Sequence, residues 1–274
     1  MDIGLFCMRK SPADHRDWIY GSKKISSNMN IPEVLDYREQ LHPIRDQGNH
    51  GSCYAMSACA MKEWQEKHDY GLEEYLSPKF FYAQRQNIKD DDKRNDYGMY
   101  SRDVMKILRN IGICRESLCE YKNVDKPLKN ANVLFKDARH HTILHYARVH
   151  SLETAKSALF EKGLCLITFP VYDPTQTQFW KKSKDFPTFN GGHAMTLVGY
   201  TKTHFIIRNS WGKRWGDKGY CYYPFEDWGE HWEIWLTTDT KTDIEPVPVP
   251  EPVSFFERIK KCFRMFFKIC IKTS

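Results

Sequence analysis

The stretch "IRDQGNHGSCYAMSACA", residues 44–60, sets a Gly-rich polar loop directly against a run of small and apolar side chains. The junction is Cys53, with Cys59 six residues further on. The run "CYAMSACAMKEW" turns polar only at "KEWQEKHDYG", which predicts a helix whose first turns are buried all round. A thiol at the N-terminus of such a helix meets unsatisfied backbone N–H groups, and these favour a thiolate. The competing reading is a plain core thiol, because free cysteine is among the most buried residue types. The rest of the chain decides between them. A thiolate nucleophile needs a base, an orienting partner for that base, and donors for a developing oxyanion.

Two later stretches supply candidates. "GGHAMTLVGY", residues 191–200, places His193 at the start of a strand behind two glycines. "IIRNSWGKRWGDKGY", residues 206–220, places Asn209 at the end of the next strand with Trp211 beside it. Adjacent strands bring His193 and Asn209 side by side. The amide oxygen of Asn can hold an imidazole without taking up a proton.

The segments "QGNHGSCYA", "GGHAMTLVGY" and "NSWGKRWGDKGY" resemble the three signature segments of papain-like cysteine peptidases. "YGMYSRDVMKILRNIGICRESLCEYK" and "WGDKGYCYYPFEDW" resemble further parts of that family, so the likeness runs from about Ile31 to about Thr238. The resemblance implies an α+β, two-lobed fold: a helical lobe and an antiparallel β-barrel-like lobe, with the active-site cleft between them. It assigns Cys53 as nucleophile, His193 as acid and base, and Asn209 as orienter. Trp211 covers the His–Asn bond, and Gln47 joins the Cys53 N–H as oxyanion donor. Gly98 and Gly192 are expected to line the substrate cleft. The implied reaction is amide hydrolysis through a thioester, a variant of the serine-triad logic. The same dyad would serve an acyl transferase, and a catalytically silent peptide-binding protein is the reading from another class.

Departures from the family pattern carry their own expectations. Three residues before Cys53, where the family usually has a bridged cysteine, stands His50. This removes one clamp on the loop that holds Gln47. Only about 30 residues precede the likeness, which matches short-headed bacterial and large-DNA-virus members rather than those with a long helical pro-region.

Composition suits a sizeable core in one or two domains: 274 residues, 41% hydrophobic and 14% aromatic. The nine cysteines are odd in number, no Asn-x-Ser/Thr acceptor occurs, and the N-terminus is a poor secretory signal. Reduced thiols in a cytoplasm-like compartment follow, with peripheral membrane or virion association as the expected refinement. Of the formal charge of +6, residues 254–274 carry +5 (six Lys/Arg, one Glu), leaving +1 for the remainder. A nucleic-acid partner is therefore not expected.

Local signals predict helices in the first half. Ser77 and Pro78 open one, and Val104, Ile107, Leu108 and Ile111 mark another that ends at Gly112. The second half reads mainly as strands, interrupted by a helix that Ser151 caps and Gly163 stops. His140, His141, His145 and His150 invite a metal reading. With 141 and 145 placed on a strand beside Ala147 and Val149, no ligand set is complete, and neither a metal nor a cofactor is expected. Cys114 and Cys119 lack a C-x-x-C spacing and read as ordinary thiols, and Asp90–Asp92 as a solvated loop.

The chain thus divides into a short extension (1–30), a peptidase domain (31–243), a Pro-rich linker (244–253) and a basic amphipathic helix (254–274). Phe255, Ile259, Cys262, Phe263, Phe266 and Cys270 share one face of that helix, which suits an anionic membrane surface. Peptides or proteins are the expected substrates.

Overall fold

The computed structural model describes residues 8–21, 30–87 and 99–239. Gly98, the acidic run 90–92, the linker and the predicted basic helix lie outside the described residues. Helices come first: α1 (Cys53–Tyr70), α2 (Pro78–Ala83), α3 (Ser101–Asn110) and α4 (Ala131–Ala138), after a short strand β1 (Leu35–Asp36). Strands follow: β2 (His145–Val149), then helix α5 (Leu152–Lys162), then β3 (Cys165–Val171), β4 (Gly191–Tyr200), β5 (His204–Arg208), β6 (Tyr220–Pro224) and β7 (Glu233–Thr238).

Helix α1 is buried from Cys53 to Glu66, one turn beyond where its sequence becomes polar. The buried charges are paired, which is the condition for keeping them out of water. Glu63 Oε1 lies 2.8 Å from Arg45 and also accepts the Leu76 N–H at 2.8 Å. Lys62 sits 2.9 Å from Glu66, which meets His141 Nδ1 at 3.2 Å. Local rules account for the helix starts. The Ser77 hydroxyl accepts the Phe80 N–H at 3.0 Å, with Pro78 at the first helical position. Ser151 and Thr154 form a reciprocal capping box at the start of α5. That helix stops at Gly163, whose φ is +86° and where a Cβ would fall 1.9 Å from the Trp64 ring, so only glycine fits.

The strands form one sheet in the order β2-β7-β3-β4-β5-β6, every neighbouring pair antiparallel, with β1 also pairing β4. Among the described residues the edges β2 and β6 are not joined, so the barrel-like lobe expected from the sequence is an open antiparallel sheet. Its central strands are buried on both faces. In β3, Leu166 belongs to the apolar cluster around α1, while Cys165, Ile167, Phe169 and Val171 belong to the cluster on the opposite face. In β4, Ala194 and Val198 face α1, whereas Met195 and Leu197 take the other side. The period of two explains why both strands read as continuous apolar runs.

One segment differs from its sequence reading. Residues 139–141 form a single 3₁₀ turn, not a strand, and His141 is buried against Glu66. A charged partner already claims that imidazole, and His145 alone begins β2. Residues 8–21, in the short N-terminal extension, are tied to the rest of the fold. Met8 bridges to Gly192, Arg9 to Tyr100 and Ile19 to Arg148.

Candidate active site

Cys53 is the first residue of α1, and its side chain is fully buried. Ser52 occupies the N-cap position without capping through its side chain, so the backbone N–H groups of the first turn stay directed at the thiol's end of the helix. The Sγ accepts the Ala194 N–H at 3.5 Å, which places the sulfur one residue from His193 on β4. His193 is itself fully buried and lies opposite Phe169 in the β3–β4 register.

Asn209 sits just past the end of β5. Its Oδ1 accepts the Ser210 N–H at 2.7 Å, which fixes the amide orientation, and lies 2.7 Å from His193 Nε2. An amide oxygen only accepts, so the imidazole carries its proton on Nε2. The other ring nitrogen, Nδ1, is buried and takes no hydrogen bond from the protein. Burial pushes His193 down to about 4, partly offset by the Asn209 hydrogen bond. Burial of the ring thus opposes its charged form. Trp211 stacks on it with centroids 4.4 Å apart and planes 29° off parallel, and Trp215 packs edge-on against Trp211 at 5.1 Å.

Gln47 joins the same end of the sheet. Its N–H donates to the Ser210 carbonyl at 2.8 Å, and its Oε1 accepts the Ser210 hydroxyl at 2.7 Å. Its Nε2 donates to the His50 carbonyl at 2.8 Å; a carboxamide carries a second N–H on that nitrogen. Among the expected site residues, the structure thus groups Cys53, His193, Asn209, Trp211 and Gln47, with Gly192 next to His193. Gly98 lies outside the described residues.

Residues 31–230 match the model of the Papain family cysteine protease group. The chain belongs to the papain family of cysteine proteases. It is 25% identical over 221 residues to a peptidase C1-like protein of Acanthamoeba polyphaga mimivirus, covering 74% of this chain and 71% of that one. It is 27% identical to papain of Carica papaya over 70% of this chain, and spans 55% of papain's length. Among solved structures it resembles xylellain, a cysteine protease from Xylella fastidiosa, with a TM-score of 0.74 and 26% identity, covering 87% of this chain and 97% of the other.

The geometry of this protease adds residues that sequence reasoning did not find. The Tyr121 hydroxyl donates to the Gln47 carbonyl at 2.9 Å and lies 2.6 Å from the Ser52 hydroxyl. Having given its one proton to Gln47, Tyr121 accepts from Ser52. One phenol thus ties both ends of the loop 47–52, where the family usually has a disulfide and this chain has His50. Burial pushes Tyr121 up to about 12, so it remains a donor. Phe179 flanks the imidazole at 5.9 Å and Trp211 at 5.5 Å, lending its bulk to the dry sleeve around the His–Asn pair. Tyr121 was present in the quoted "RESLCEYK". Its partners there are a backbone carbonyl and a hydroxyl, and no spacing rule reports such contacts.

The six described cysteines, Cys53, Cys59, Cys114, Cys119, Cys165 and Cys221, are free thiols. Cys114 and Cys119, read from the sequence as ordinary thiols, interact with each other. A hydrogen bond between them raises Cys114 and lowers Cys119.

Proposed function

We propose that this protease cleaves peptide bonds as an endopeptidase with Cys53 as the nucleophile and His193 as the acid and base. The observation that carries the reading is the assembled set: Asn209 Oδ1 at 2.7 Å from His193 Nε2, with the Cys53 sulfur held at 3.5 Å by the N–H of the next residue, Ala194. In the first half-reaction the sulfur adds to the scissile carbonyl as His193 takes the thiol proton at Nδ1. The oxyanion is met by the Gln47 amide and the Cys53 N–H. Collapse breaks the C–N bond, the amine leaves with the proton from His193, and a thioester remains. Water then adds with His193 as base, and the C–S bond breaks to release the acid and restore the thiol. Asn209 keeps the ring in its Nε2–H tautomer throughout, and Trp211 and Phe179 exclude water from that bond.

The test is hydrolysis of a peptide library by the full chain together with Cys53→Ala and His193→Ala. Loss of cleavage in both, with a thiol-directed epoxide marking Cys53 in the unsubstituted protein, is the expected result. Cleavage that survives Cys53→Ala would overturn the assignment. Free buried cysteines and His50 support a reducing compartment as the place of action, checked by intact mass under alkylating, denaturing conditions. Residues 254–274 are proposed, on sequence alone, to bind an anionic surface. Vesicle co-sedimentation at low and high salt tests this, and sedimentation unchanged by deleting residues 245–274 would remove it.

A further inference from the structure

Cys114 and Cys119 take no part in the chemistry of Cys53, yet the fold brings them together. Both belong to a small apolar cluster with Phe80 of α2 and with Leu134 and Ala138 of α4. Their backbones converge on one residue. The Ser77 N–H donates to the Cys114 carbonyl at 2.8 Å, and the Ser77 hydroxyl donates to the Cys119 carbonyl. Between them the chain is wound tightly, as a single 3₁₀ turn over Glu116–Leu118. The Leu118 N–H donates to the Arg115 carbonyl at 3.1 Å, and the Cys119 N–H to the Glu116 carbonyl at 3.0 Å. Asp137 of α4 fixes the start of the turn, accepting from the Arg115 N–H at 2.8 Å and from its guanidinium at 2.9 Å. The turn thus closes on itself with a thiol at each side of its neck.

The two thiols are not equivalent. Cys114 is fully buried, whereas Cys119 is 7% exposed. The hydrogen bond between them keeps the proton on Cys114 and favours the thiolate at Cys119, where Ser77 and Lys79 act in the same direction. Burial instead pushes the thiols of Cys59, Cys165 and Cys221 up. The thiolate is the nucleophilic form, so a small oxidant attacks Cys119 ahead of those three.

We propose that Cys114 and Cys119 are a reversible redox pair, oxidised by hydrogen peroxide to a disulfide that staples the turn ahead of Tyr121. The Cys119 sulfur attacks one peroxide oxygen. An S–O bond forms, the O–O bond breaks, and hydroxide leaves as water with the Cys119 proton. The Cys114 sulfur then attacks the sulfenic sulfur of Cys119. An S–S bond forms, the S–O bond breaks, and hydroxide leaves as a second water with the Cys114 proton. The two thiols lose two electrons in all, and one peroxide becomes two waters. A dithiol such as dithiothreitol reverses the bridge by exchange and is itself oxidised. Glu116 lies inside the ring so formed. Its carboxylate meets Arg45 at 2.8 Å and accepts the Tyr121 N–H at 3.3 Å. Closing the ring restricts the open forms of this turn and leaves the Tyr121 fastening in place.

The experiment treats the full chain with a small excess of hydrogen peroxide, alkylates the remaining thiols under denaturing conditions, and digests with trypsin. Cleavage after Arg109, Arg115 and Lys122 places Cys114 in residues 110–115 and Cys119 in residues 116–122. These two peptides should stay joined in the treated chain only and part when dithiothreitol is added, while Cys59, Cys165 and Cys221 remain alkylated. In Cys114→Ser the link should vanish and Cys119 should be trapped by dimedone as a sulfenic acid. If that variant does not fold, the unsubstituted chain decides. Hydrogen exchange reads the staple: the Glu116 to Tyr121 amides should exchange roughly threefold more slowly in the bridged chain. Both cysteines alkylated after treatment, Cys119 carried to sulfinic acid without a link, or equal loss of Cys59, Cys165 and Cys221 would overturn the pair. Unchanged or faster exchange in the bridged chain would overturn the staple. None of these readouts uses peptide cleavage, so the redox pair and the peptidase reading stand or fall separately.

Discussion

The two halves of the site are built differently. His193, Asn209 and Trp211 hang from β4 and the end of β5, where strand register fixes the backbone and Phe179, Trp211 and Trp215 wall off water. Gln47 and Ser52 belong to a loop without regular structure, held by side-chain hydrogen bonds to Ser210 and Tyr121. The sheet half is rigid because many apolar contacts would have to fail together. The loop half depends on a few bonds, each contributing about 1 kcal/mol net. Loss of a reacting group should therefore abolish chemistry, and loss of a group that assists or orients one, in either half, should grade it.

The largest effect expected is from His193→Ala and Cys53→Ala, each reducing peptide hydrolysis to background in a fluorogenic assay while the folded state persists. Next comes Gln47→Ala. Loss of one oxyanion donor costs roughly 10²–10³-fold in kcat. A change confined to KM would show that the loop only binds substrate and would erase the contrast between the halves. Asn209→Ala should cost less than Gln47→Ala, because the imidazole keeps its base while losing its orientation.

Acid should expose the sheet half selectively. Burial pushes His231 down to about 4, with Lys10 and His150 adding to the effect, and His193 shares the shift through burial. Both folded values lie below the ordinary imidazole value, so the unfolded chain binds protons first as pH falls. Stability is full above about pH 6.5, declines toward pH 4, and loses no more to these groups below that. His231 is partly exposed, so His231→Gln should recover on the order of 2 kcal/mol of the acid loss in denaturant melts at pH 4.5, with no change at pH 8. An unchanged acid slope would show that His231 does not contribute to it.

The smallest effect probes the loop. Tyr121→Phe removes two hydrogen bonds and keeps the ring, and it should lower kcat about tenfold with KM nearly unchanged. If kcat is unmoved, the Ser210 contacts alone hold Gln47, and the loop half is stiffer than its bond count suggests.

These halves were not equally legible in the sequence. Cys53, His193 and Asn209 stood out because the proposed chemistry needs fixed residue types beside recognisable strand and helix signals. Ser77, Pro78, Ser151 and Gly163 marked their helices for similarly local reasons. Tyr121 and Phe179 did not, since their partners are a distant backbone and an aromatic sleeve. The fastening of residues 8–21 was the least visible. Ser11 and Glu233 are 222 residues apart, and nothing in the pattern of Met8, Ser11 and Asp17 distinguishes a fastened segment from a solvated one. The open sheet escaped for a related reason: alternation along β3 and β4 fixes which face is buried, but edge closure depends on how β2 and β6 finally lie.

Fastening the loop through the Tyr121 phenol changes what the protein requires in order to mature. A disulfide clamp needs an oxidant to form and an isomerase to correct mistakes, and it fails wherever thiols are kept reduced. The phenol makes its two bonds as soon as residues 47–52 reach it, in any redox environment. For this part of the site, folding and readiness are the same event, and heat rather than a change of redox potential is what should undo it.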